Sequence, residues 1–206
     1  MDSTTAQFFF DPACPWTWMT SRWLTDVAQA RGVEVRWRPF SLKFNGEGQD
    51  VPEPYVSYAA ASHRALRVME AIRDGEGDEP LGPYYTELGR RIHHDGDMLL
   101  DDLAGAVAAC GLDPKYVHAA DDDRWDQPIR ASMAEALDAA GPDVGSPILM
   151  LSVDPPRAFF GPIVSPPPTG TAALDLWDRV SGMAEQPSFF ELKRSRSGGP
   201  QLGPRP

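Results

Sequence analysis

One stretch constrains this chain more than any other: residues 7–24, QFFFDPACPWTWMTSRWL. Phe8, Phe9 and Phe10 form a short apolar run that stops at Asp11-Pro12, the pattern of a buried strand ending in a turn. Pro15 suits the first position of a helix, where its missing N–H costs nothing. Cys14 then falls at the N-cap, its sulfur facing the unpaired amides of Trp16 and Thr17. Those amides and the helix dipole favour a thiolate, so the pattern predicts a nucleophilic Cys14 that ionises more easily than a free cysteine. Thr17 is placed to donate its hydroxyl to that sulfur, which would stabilise a thiolate and also blunt its nucleophilicity.

The pattern continues in register. Met19, Trp23 and Val27 recur at four-residue intervals beside Leu24 and Ala28, an amphipathic helix that Gly32 closes. Trp18 and Trp23 read as core aromatics, whereas Trp16, inside the motif, reads as a ligand contact. Val33, Val35 and Trp37 alternate with Glu34, Arg36 and Arg38, a half-exposed strand ending near Pro39. Strand, helix and strand make a βαβ unit with its right-handed crossover. Asn45 to Gly48 reads as a loop, and residues 51–140 turn helical, with helices expected over 55–73, 84–93, 101–110, 115–120 and 126–140. After Gly141, Ser146-Pro147 precedes the apolar strand 148–151, and 158–161 reads as its hairpin partner. A helix from Thr171 carries Ala173, Trp177, Val180 and Ala184 on one face. The fold class is therefore α/β: residues 1–50 and 141–192 form one domain, 51–140 an all-helical insertion, and 195–206, rich in Ser, Gly and Pro, a disordered tail.

Charge and cysteine usage narrow the function. Thirty acidic side chains against 19 basic ones give a net charge of −11, which argues against a nucleic-acid or anionic-membrane surface and for a small-molecule partner. The opening MDSTTAQ has neither a basic start nor an apolar core, so a cytoplasmic protein is expected. Cys14 and Cys110 are too few for a disulfide framework. Cys110, ending an apolar helix, reads as an inert small hydrophobe. His63, His93, His94 and His118 lack ligand spacing, and Asp121 to Asp123 lack the spaced oxygens of a calcium loop, so no metal is assigned. Lys193, Arg194 and Arg196 read either as a patch docking on the acidic body or as a solvated tail.

A strand followed by C-P-W-x at a helix start resembles the DsbA-like branch of the thioredoxin superfamily. DPACPWTWMTSRWL resembles, more narrowly, the actinobacterial mycothiol-dependent nitroreductases. The likeness runs on through Ser146-Pro147, FFGPIVS and FFELKR, over nearly the whole chain. Those relatives usually carry C-P-W-C, and here Thr17 holds the fourth place. The resemblance implies a thioredoxin-like core, β-α-β then β-hairpin and α, with the helical insertion. It also implies a cis Ser146–Pro147 bond facing Cys14, although by sequence alone Pro147 could be an ordinary loop proline. Around catalytic Cys14 and Thr17 it implies a thiol-binding set of Pro15, Trp16, Asn45, Tyr55, Ser146 and Pro147, with mycothiol or a similar low-molecular-weight thiol as co-substrate.

Counting thiols then sets the expected mechanism. Thr17 cannot resolve a mixed disulfide on Cys14, and Cys110 lies in another unit, so an external thiol must close any redox cycle. The leading expectation is a monothiol oxidoreductase acting on a small electrophile or mixed disulfide. A thiol-dependent transferase or isomerase resembling the kappa glutathione transferases, and a binding protein without turnover, are the alternatives.

Overall fold

Residues 5–206 are described in a computed structural model of the chain; the first four, on which the reading of the chain's opening partly rests, lie outside them. Strand β1 (Thr5–Phe10), helix α1 (Pro15–Arg31) and strand β2 (Glu34–Pro39) form the βαβ unit. β1 and β2 run parallel, with Phe8 opposite Trp37. β3 (Ile148–Leu151) joins the other edge of β1 antiparallel, with Phe9 opposite Ile148, and β4 (Arg157–Phe160) pairs antiparallel with β3. The sheet order is β2-β1-β3-β4.

β1 is thus interior and covered on both faces, which is why its apolar run does not alternate with polar residues. Phe8 and Phe10 meet the Trp37 ring edge-on at 5.6 and 6.0 Å, and Phe10 also packs on Tyr85 at 3.9 Å. Phe9, on the opposite face, lies under the Arg38 guanidinium. α1 buries Trp18, Met19, Trp23, Leu24 and Val27 completely. It ends where Gly32 turns left-handed (φ 67°) and donates its N–H to the Ala28 carbonyl. Trp23 fixes α1 to the last helix by donating Nε1–H to the Ala173 carbonyl at 2.9 Å and packing on Trp177.

The helical block comprises α2 (Leu42–Asn45), α3 (Tyr55–Glu76), α4 (Leu81–Gly89), a π turn at Arg90–His94, α5 (Leu103–Ala109), 3₁₀ turns at Pro114–Asp121 and Asp123–Trp125, and α6 (Asp126–Ala140). α7 (Gly170–Ala184) closes the fold. The helix expected over 84–93 starts at Leu81 and gives way to the π turn at Arg90, and three further departures from expectation have local reasons. Asn45 ends α2 instead of opening a loop, because the Ser41 hydroxyl caps that turn by accepting the Phe44 N–H. α3 runs on to Glu76, where Gly77 supplies the positive φ that stops it. Residues 115–120 lie in a 3₁₀ turn, not an α-helix, opened by Pro114 and by Asp113, whose carboxylate accepts the Lys115 N–H.

Buried side chains of the sheet and of the helical block belong to one continuous core. Residues 195–206 form neither helix nor strand and are held against the body. Arg196 lies over the Trp16 ring at 4.5 Å, Arg205 pairs with both oxygens of Asp95, and Arg90 donates to the Pro206 carbonyl. No described helix is long and apolar enough to cross a membrane.

Candidate active site

The site forms where the C-terminal end of β1 meets the start of β3. The Asp11 carboxylate accepts the Ala13 N–H two residues on, at 2.8 Å, which tightens the turn. The Cys14 N–H then bonds the Asp11 carbonyl at 3.1 Å and leaves Cys14 at the N-cap of α1, with Pro15 in the first turn. From the other half of the chain, Ser146 and Pro147 come in across a cis peptide bond. The Cys14 thiol donates to the Ser146 carbonyl, with 3.5 Å between sulfur and oxygen. The Ser146 hydroxyl oxygen accepts the Asp11 N–H at 3.1 Å and lies 2.8 Å from the Thr17 hydroxyl. Ser146 Oγ accepts from the Asp11 amide and can donate to Thr17, which leaves the Thr17 hydroxyl proton free to favour a Cys14 thiolate.

The electrostatics correct the expectation of an easily ionised thiol. The sulfur takes no capping bond from the helix amides, although the nearby Thr17 hydroxyl and the Thr17 and Trp16 amides pull it toward thiolate. Burial outweighs them and pushes the Cys14 thiol above its ordinary value, and the Asp11 carboxylate adds to the rise. Desolvation wins because Cys14 is only 8% exposed, and a helix N-terminus delivers less than the loss of water.

Four of the eight expected residues, Cys14, Thr17, Ser146 and Pro147, form one buried cluster. Pro15 and half-buried Trp16 form its outer lip at the start of α1. Asn45 approaches from α2, its amide nitrogen 3.9 Å from the place a side chain on Gly145 would take, and so lies beside the loop that carries Ser146. Tyr55 opens α3 with its ring 63% exposed and set edge-on to Tyr58.

Asp11, Ser62 and His93 are the residues sequence reasoning missed. Ser62 on α3 donates to the Asp11 carboxylate, which also accepts the Leu42 N–H at 2.7 Å. His93 donates Nε2–H to the Pro12 carbonyl at 2.9 Å and stacks on Trp18. The sequence held a signal for Asp11 alone, since Asp followed by Pro favours a side-chain bond to the amide two residues on. Cys110 sits apart at the end of α5, where it lines a groove of about 460 Å³ with residues of α1, β2 and α4. Burial raises its thiol as well.

Such a βαβ unit and hairpin, with helices spliced between and a thiol at the first helix head, make a DsbA-like, thioredoxin-type fold. Two solved structures share the architecture. The cytosolic disulfide reductase DsbM from Pseudomonas aeruginosa matches 86% of this chain and 98% of its own, with a TM-score of 0.58 and 16% identity. The probable DsbA oxidoreductase SCO1869 from Streptomyces coelicolor matches 94% of each chain, with a TM-score of 0.60 and 17% identity. Residues 13–194 match the family described as mycothiol-dependent nitroreductase Rv2466c. The chain is also 32% identical over 197 residues to the uncharacterized protein Rv2286c of Mycobacterium tuberculosis (strain ATCC 25618 / H37Rv), covering 94% of this chain and 83% of that protein. It belongs to the Rv2466c-like family of mycothiol-dependent nitroreductases.

Proposed function

We propose that this chain is a monothiol oxidoreductase of the cytoplasm, with Cys14 as its nucleophile and mycothiol or a similar small thiol as its co-substrate. Ionised Cys14 attacks one sulfur of a mixed disulfide, the S–S bond breaks, and the other half leaves as a thiolate that takes a proton. A free thiol, also ionised, then attacks the sulfur bound to Cys14 and releases the Cys14 thiolate, so that for each mixed disulfide one small thiol is consumed, one substrate thiol is released and the disulfide passes to the small thiol. Trp16, Asn45 and the Ser146 backbone are the groups that would hold the thiol, and Tyr55 would reach it only from the rim.

One observation carries this reading. The place one turn from Cys14 holds Thr17, fully buried and 2.8 Å from Ser146 Oγ, so no second thiol stands there to discharge an adduct. The family description supplies the kind of thiol, and the DsbM structure also exists with GSH, a thiol of the same class. The test is turnover with purified protein, mycothiol and a mixed disulfide of mycothiol with a substrate thiol, following reduced mycothiol, mycothiol disulfide and the released substrate thiol separately. Mycothiol converted to its disulfide in step with release of the substrate thiol, and abolished by Cys14→Ser, is expected. Turnover that leaves mycothiol reduced and forms no mycothiol disulfide would instead assign transferase or isomerase chemistry.

A further inference from the structure

We propose that Asp11 is the positioning residue of this site and shapes its pH response: its carboxylate ties the Cys14 turn to α2 and α3, and its charge adds to the burial that opposes a Cys14 thiolate. The proposal rests on Cys14 being the reacting group. Asp11 is fully buried, yet it bonds four separate pieces of the fold. One carboxylate oxygen takes the Ala13 N–H and the Ser62 hydroxyl, and the other takes the Leu42 N–H. Its own N–H goes to Ser146 Oγ, and its carbonyl takes the Cys14 N–H. A shift of this one side chain therefore moves both walls of the site, the cysteine turn and the loop of the cis proline.

The bonding also says what protonation does. A carboxylate only accepts, whereas a carboxylic acid must donate its proton. Ala13 and Leu42 offer N–H groups that cannot accept it, so the proton has to go to Ser62 Oγ, and the Ser62 bond reverses. Ser62 Oγ is within 3.3 Å of the Ala13 N–H as well, so that reversal is felt in the residue next to Cys14. Burial pushes the Asp11 carboxyl up to about 6, against the pull of its three donors.

Several titratable groups lie on the elements packed around Asp11. They are Cys14 on α1, Lys43 on α2, His63 on α3, Tyr85 on α4 and His93 against the Pro12 carbonyl. Burial holds both His63 and His93 near about 4 and pushes Tyr85 upward. Of Asp11, His63, His93 and Tyr85, Asp11 is the one that changes charge on the approach to neutrality. Below its midpoint the neutral acid leaves Cys14 easier to ionise, and above it the carboxylate opposes the thiolate.

The experiment is the rate of Cys14 alkylation by iodoacetamide against pH, in Cys110→Ser protein so that one thiol reports. The expected background profile flattens where Asp11 ionises and climbs again at higher pH. Asp11→Asn should abolish the flattening and react several-fold faster above neutrality. Ser62→Ala removes one donor from the carboxylate and should move the flattening to higher pH. A folded Asp11→Asn protein with an unchanged profile would reduce Asp11 to a structural bond and overturn the proposal. Should Asp11→Asn fail to fold, an unmoved Ser62→Ala profile overturns it by itself. Alkylation needs no turnover, so this outcome is separate from that of the Cys14→Ser activity test.

Discussion

Acid should loosen the active-site turn through His93, and the size of the effect follows from its surroundings. A carbonyl can only accept, so the bond to Pro12 places the ring proton on Nε2, and the imidazole is neutral against Trp18. Burial is the largest influence and lowers its pKa from 6.5 to about 4. The unfolded chain therefore takes up the proton first as pH falls: the stability due to neutral His93 is complete above 6.5 and is lost on the way down to about 4. At 1.36 kcal/mol per unit, the loss is about 2.5 kcal/mol by about pH 4.5. Asp11, whose raised pKa makes the folded state hold its proton more tightly, regains about 2 kcal/mol over the same interval. His93→Gln separates the two, because the amide keeps an N–H for Pro12 and cannot titrate. Guanidinium denaturation at about pH 7.5 and about pH 4.5 should show wild type losing about 2.5 kcal/mol more than the variant, with the Asp11 contribution common to both. Equal losses would mean that the His93 ring is hydrated or already charged, and the argument from its burial would fail.

Thr17→Cys puts a second thiol one turn from Cys14, so a variant loaded with a mixed disulfide should discharge it without added thiol while wild type retains it; adduct mass over time decides, and equal release would mean that wild type already holds a resolving group. Arg196→Ala should uncover Trp16, raising its oxidation in hydroxyl-radical footprinting while fully buried Trp18 and Trp23 stay protected; an unchanged Trp16 would show that the guanidinium does not cover it in solution.

The parts of this fold that sequence made legible are those decided by neighbours along the chain. The Phe8 to Phe10 run, the Met19–Trp23–Val27 stripe and the Gly32 stop each depend on local periodicity or a single backbone angle, and each stands where expected. Cys14 at a helix head was legible for the same reason, as was the partnership of Ser146 with Cys14 once the resemblance was admitted. The state of the thiol was not. It depends on how much water Ser146, Thr17 and their surroundings remove from the sulfur, and those groups come together only in the folded chain. Ser62 lies 51 residues from Asp11 in the sequence, and nothing in the helical pattern around Leu66 and Met69 distinguishes it from a packing serine.

The buried thiol also bears on the direction in which such a site works. A dithiol protein is a strong oxidant when its reduced form is stabilised, as a low-pKa thiolate is, because the disulfide then gives up its sulfur readily. Here the forces run the other way: desolvation and the Asp11 charge destabilise the thiolate, while the thiol itself is satisfied by the Ser146 carbonyl. A sulfur with a raised pKa is also a poor leaving group, so an adduct on Cys14 resists attack that would expel it. Both effects favour a site that takes a sulfur from a substrate and keeps it until a second thiol is bound in line with the bond to be broken. The Thr17 hydroxyl fits that division of labour, since it stabilises the Cys14 thiolate as it departs without competing as a nucleophile. In the proposed cycle, speed then depends on how well Trp16, Asn45 and the Ser146 backbone order the incoming thiol, and not on the intrinsic reactivity of Cys14.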